Sequence, residues 1–117
     1  MRRGGAWAVG GLAIVLSVGS TGGARAQDDP LFVVVRYHEA ARAAELCSGK
    51  TFTRTEQDKL AGLVGQATQY RLSTGEELTA IREGRANMAA RVTANGCTDA
   101  LVVDALRFYA SFENRLR

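Results

Sequence analysis

The sequence predicts an all-α fold: a small up-down four-helix bundle closed by one disulfide and preceded by a cleaved signal peptide. Three observations carry that prediction. Apolar residues recur at three- and four-residue spacing in successive segments, as on one face of a helix. Polar capping signals open each of those segments. No segment alternates apolar and polar residues as a half-buried strand would. Pro30 is the only proline in 117 residues, so no helix is interrupted internally.

Helix one is predicted to start at Asp29-Pro30, where Asp29 caps orphan amides and Pro30 suits the first turn. It runs to about Cys47 and stops at Gly49, with Val33, Tyr37, Ala40, Ala44 and Cys47 on its apolar face. The opposite face, Leu31, Val35, His38, Arg42 and Glu45, is expected to be mainly solvated. Helix two opens on the capping-box spacing Thr53-Arg54-Thr55-Glu56. Its predicted stripe is Leu60, Leu63 or Val64, Ala67 and Tyr70, and it ends near Leu72. Helix three repeats the box at Ser73-Thr74-Gly75-Glu76 and stops at Asn95-Gly96. Thr98-Asp99 caps helix four, whose seam is Val102, Ala105, Tyr109, Phe112 and Leu116, widened by Leu101 and Phe108.

Residues 1–26 read as an export leader. Arg2 and Arg3 form the basic start, Ala6 to Val18 the short apolar stretch, and Ala24-Arg25-Ala26 the small-x-small cleavage site. The apolar stretch is short for a membrane span and contains Gly10 and Gly11, so no membrane anchor is expected after cleavage. Residues 27–117 are then a single helical domain, and the expected location is the periplasm or the exterior. The leader also accounts for the basic balance of the whole chain. Of 15 Lys and Arg against 12 Asp and Glu, three (Arg2, Arg3 and Arg25) fall within it, leaving 15 − 3 = 12 against 12. Nucleic acid is therefore not an expected partner.

Cys47 and Cys97 are the only cysteines. An even count in an exported small domain predicts a disulfide. In an up-down bundle the end of helix one and the start of helix four share a pole, which brings the two cysteines together. Two cysteines and one histidine do not make a zinc set, and a redox-active pair would sit two residues apart.

No catalytic constellation is found, and the chain is read as a non-enzyme. His38-Glu39-Ala40-Ala41-Arg42 fails the HExxH pattern because Arg42 stands where the second histidine belongs. His38 is the only histidine, and it is expected at the surface. No GxSxG elbow or phosphate loop occurs, and no cofactor is implied. A cation site drawn from Glu39, Glu76, Glu83 and Asp104 has no recognisable spacing, and no metal is assigned.

One residue breaks its pattern. Leu78, Ile81, Met88 and Val92 would form a continuous seam on helix three if position 85 were apolar, but it is Arg85. The plain reading is an arginine that flanks the core while the stripe rolls onto Gly84. The sharper one is a candidate ligand or anion site at Arg85, with Arg82 one turn away. The β-prone run Leu31 to Val35 also stands out, and Leu31, Phe32 and Val35 are a candidate interaction surface.

The leading functional expectation is a small exported non-enzymatic protein that binds another protein, with a homodimer as the special case. The overall plan resembles that of HdeA-type periplasmic acid-stress chaperones: a leader, a small helical domain and two cysteines 50 residues apart. That resemblance covers architecture, carries no functional residues, and implies acid-triggered exposure of apolar surface. The third expectation is a small-ligand or metal-ion binding protein.

Overall fold

The computed structural model describes residues 29–117; the leader at 1–26 and its cleavage point lie outside the described residues. Those described form an all-α fold of four helices and no strands: α1 (Pro30–Ser48), α2 (Arg54–Ala67), α3 (Thr74–Asn95) and α4 (Ala100–Phe112). A 3-10 turn, Glu113–Leu116, extends α4.

Local chemistry sets the boundaries. Asp29 Oδ1 accepts from the Leu31 amide at 2.9 Å, and Gly49 ends α1 in the left-handed region at φ 67°. The Leu31–Val35 run is helical, because the Asp29 cap and the Pro30 turn outweigh its β-propensity. Thr53 and Ser73 each form a complete reciprocal capping box, with Glu56 and Glu76 respectively. Asp99 opens α4 by accepting from the Leu101 and Val102 amides.

Helix two ends earlier than its periodicity predicts. The buried Thr68 hydroxyl donates to the Val64 carbonyl at 3.0 Å. Gln69 and Tyr70 both adopt positive φ, and the Tyr70 amide returns to the Gly65 carbonyl at 2.9 Å. The Tyr70 ring lies over Gly65, where a Cβ would collide with it. Tyr70 is thus part of a folded-back helix end, 70% exposed, and not part of the buried stripe.

α1 is the hub. It packs on α3, on α4 and more lightly on α2, so it is buried on more than one side. Val34, Ala40, Ala41, Ala43 and Ala44 are all buried, whereas Val33, Tyr37 and Cys47 are half-buried. Alanines at these positions let several neighbouring axes approach closely. Most of the face expected to be solvated is drawn in as well: Val35, His38, Arg42 and Glu45 are half-buried, and Leu31 alone of the five is exposed.

The closest approach is between α1 and α3 at Gly84. A Cβ there would stand 2.6 Å from the Val35 carbonyl oxygen and 3.3 Å from the Glu39 amide nitrogen. The buried residues of α3 are accordingly Ala80, Gly84 and Met88, while Leu78 is 46% exposed. The stripe has rolled onto the smallest residue, and Arg85 flanks it. On α4 the seam Val102, Ala105, Tyr109, Phe112 and Leu116 is buried throughout. Tyr37 packs on Phe108 and Phe112 with ring centroids 4.9 Å apart in both cases. Leu101, expected to widen the seam, points outward.

Cys47 and Cys97 are joined, with Cα atoms 5.8 Å apart. The bond ties the last turn of α1 to the turn between α3 and α4. Closing a 50-residue loop restricts the unfolded chain by about 4 kcal/mol in the chain-entropy description.

The two kinds of helical glycine give opposite expectations. Gly84→Ala should destabilise by about 1–3 kcal/mol, because the added methyl meets backbone that cannot move independently. Gly62→Ala, in α2 with nothing within 4 Å of its Cβ position, should stabilise by about 0.5–1 kcal/mol. Urea unfolding of both variants checks this, and equal effects would show that the α1–α3 approach is loose.

Candidate functional site

Because α1 is central and α3 and α4 touch each other little, two clefts open along it. The first lies between α1, α2 and α3. It has a volume of about 370 Å³ and is lined by Ala41, Phe52, Leu60 and Ile81, with His38, Glu45, Gln57, Glu77 and Arg85 supplying polar atoms. Its walls are aliphatic and aromatic because Leu60 belongs to the core stripe of α2, while Phe52 and Ile81 pack against the same core.

The polar end of this cleft is a small charge network. Glu45 Oε1 accepts from Arg85 at 2.9 Å and from Arg42 at 3.1 Å. Two guanidinium groups therefore share one carboxylate oxygen. Arg85 can reach Glu45 because Gly84 occupies the α1 contact and turns the next residue to its flank. Among the described residues, His38 makes no salt bridge. Burial holds its imidazole down, from 6.5 to about 4; the nearby Arg85 charge adds to the shift and Glu45 opposes it. His38 is a neutral imidazole in a cleft, not the surface histidine expected from its helical face.

The second cleft is larger, about 640 Å³, and runs between α3 and α4 with α1 as its floor. Phe32, Met88, Leu101, Ala105 and Phe108 supply its apolar surface, and Arg36, Glu39, Arg91 and Asp104 its charges. Arg36 stacks over the Phe108 ring at 4.2 Å. Arg91 reaches Asp99 at 3.8 Å. Burial raises the Glu39 carboxyl above its ordinary value, against the lowering effects of Asn87, Arg91 and Arg36.

The sequence-derived candidates are split between these clefts. Arg85 lines the first, whereas Arg82 is exposed and lines neither. Phe32 lines the second, and its neighbour Leu31 is exposed. Val35 is half-buried, packed on the core beneath Gly84. Sequence reasoning missed His38, Glu45 and Leu101 as lining residues, and named Glu39 only within a scattered set of carboxylates. For Glu45 a signal was present, since Arg42 stands one turn before it. The contact that joins Glu45 to Arg85 spans 40 positions and has no local signature. Among the described residues no group of three or more His, Cys, Asp or Glu is arranged to hold a metal ion, and no helix is long and apolar enough to cross a membrane. Comparison with protein-family models, with curated proteins and with solved structures finds no match.

The position of His38 has a direct consequence for acid stability. An imidazole near 4 in the folded chain and 6.5 in the unfolded chain is protonated first by unfolding. Its contribution is complete above pH 6.5, is lost as pH falls to about 4, and is constant below that. The loss amounts to at most about 3 kcal/mol. Glu39, with its raised carboxyl, has the opposite slope, so the effect is read as a difference between proteins. His38→Gln should lose less stability than wild type between pH 6.5 and 4, measured by urea unfolding. Parallel curves for the two would show that His38 is freely solvated.

Proposed function

We propose that the protein is a small exported, non-enzymatic binder: an up-down helical bundle, released from the leader 1–26 into the periplasm or beyond, that receives another protein. The joined cysteines are consistent with an oxidising compartment. One observation supports the binding reading above others. Leu31, Phe32 and Leu101 are 40%, 42% and 55% exposed, and Phe32 and Leu101 both line the α3–α4 groove. Apolar side chains collected at the mouth of a charged groove, with Phe108 on its α4 wall, suit docking better than solvation.

The occupant that suits this shape is an amphipathic helix of a partner protein. Its apolar face would cover Phe32, Leu101 and Phe108, and its flanks would meet charges of both signs, Arg36 and Arg91 against Glu39 and Asp104. A photo-crosslinking residue placed at position 32 or 101 tests this in the native host, with position 58 on α2 as the control. The expected result is one discrete adduct with another protein from 32 and from 101, and none from 58. An adduct with a second copy would overturn the separate-partner reading in favour of a homodimer. Equal labelling at all three positions would overturn docking at the groove.

A second reading, an acid-stress chaperone, is favoured by His38, because a half-buried imidazole held neutral makes acid destabilising. It requires that the protein suppress aggregation of an unfolded client at about pH 3 and not at pH 7. Persistence of a closed core, impermeable to apolar dyes, at the lower pH would remove this reading.

A further inference from the structure

We propose that the cleft between α1, α2 and α3 is a binding site for a small amphipathic monocarboxylate, its acid group on Arg85 and His38 and its apolar body against Phe52, Leu60 and Ile81. This site is separate from the α3–α4 groove and does not depend on the docking reading.

Three observations carry the assignment. The first is size: about 370 Å³ lies within the range of small-molecule sites, and its apolar walls would desolvate a short chain or a ring. The second is charge. Arg42 and Arg85 converge on a single carboxylate, Glu45, so this end of the cleft holds one positive charge more than it neutralises. Glu77, the other acidic lining residue, lies eight positions before Arg85 on α3, about 12 Å along the helix axis. It stands apart from the basic end and leaves the surplus in place.

The third is unused hydrogen-bonding capacity. Arg85 commits one terminal nitrogen to Glu45, and a guanidinium has five N–H donors in a planar fork. The remaining donors can take a carboxylate in two-pronged fashion. His38 makes no salt bridge, and a neutral imidazole keeps one N–H to donate. A carboxylate would thereby gain charge-assisted bonds from Arg85 and a further bond from His38. A cationic or purely apolar ligand would leave the remaining Arg85 donors and the His38 N–H without an acceptor from the ligand. The head-group chemistry therefore selects an anion, and the walls select an amphipathic one.

The single histidine makes the test specific. Octanoate is titrated into the purified, oxidised protein while the His38 ring resonances are followed by nuclear magnetic resonance, with 1-octanol and acetate as comparison ligands. Saturable shifts of His38 are expected with octanoate, and binding of octanol and acetate at least tenfold weaker. Arg85→Gln should weaken octanoate at least tenfold and change octanol by less than threefold. Arg85→Lys keeps the charge without the planar fork and should give an intermediate loss; it also serves if the Gln variant does not fold. Ile81→Trp, which fills the apolar end, should weaken both ligands. Absence of saturation with octanoate, equal binding of octanol, or an unaltered octanoate affinity in a folded Arg85 variant would each overturn the assignment.

Discussion

The contact on which the rest of this structure depends is the approach of α3 to the backbone of α1 at Gly84. Only a residue without a Cβ lets the Val35 carbonyl come this near. Once Gly84 takes that place, the orientation of α3 about its own axis is settled. Ala80 and Met88 fall one turn to either side of it and are buried, and Leu78 is left outside. Arg85 is then carried to the flank, where its guanidinium crosses to Glu45 and lines the same cleft as His38. Packing thus comes first in the chain of causes and electrostatics second. The neutral imidazole and the shared carboxylate follow from where two helix backbones meet.

Much of the architecture was legible because it is local. Caps are read within four residues, and the starts at Asp29, Thr53, Ser73 and Asp99 all behave as their side-chain chemistry requires. The α4 seam was legible because its strongly apolar residues form one stripe, buried in two successive clusters along the helix. α1 was harder for the opposite reason. A helix with neighbours on several sides has no single buried face, so a stripe drawn through Val33, Tyr37 and Ala40 describes only part of it. The end of α2 was not legible either. Thr68, Gln69 and Tyr70 include no glycine to announce a left-handed turn, and the fold-back depends on Gly65 leaving room for a ring.

The site residues divide along the same line. Arg85 was conspicuous because a charge interrupts an apolar repeat, which is a pattern within one helix. Glu45 and His38 were inconspicuous because each sits on a helical face that looks solvated until α3 is laid across it. Arg82 shows the limit of proximity in sequence. It lies one turn from Arg85 in the chain, yet Arg85 alone lines the cleft, because three residues advance a helix by about 300° and do not restore its direction.

The hub arrangement also explains why a domain of this size has clefts at all. Four helices arranged as a ring bury their apolar faces on one another and close the centre. When one helix takes the centre, its neighbours touch it and touch each other less, and the gaps between them run along its length. The disulfide ties one pole of that arrangement, where α1 ends and the α3–α4 turn passes. Aromatic packing of Tyr37 with Phe108 and Phe112 holds α4 to α1 farther along. Between those two fastenings the walls of the α3–α4 groove are constrained by α1 more than by each other. Phe32 of α1 and Leu101 of α4 line that groove as its exposed apolar residues. The groove that results sets the charges of Arg36 and Glu39 on α1 beside the apolar surfaces of Met88 on α3 and of Leu101 and Phe108 on α4.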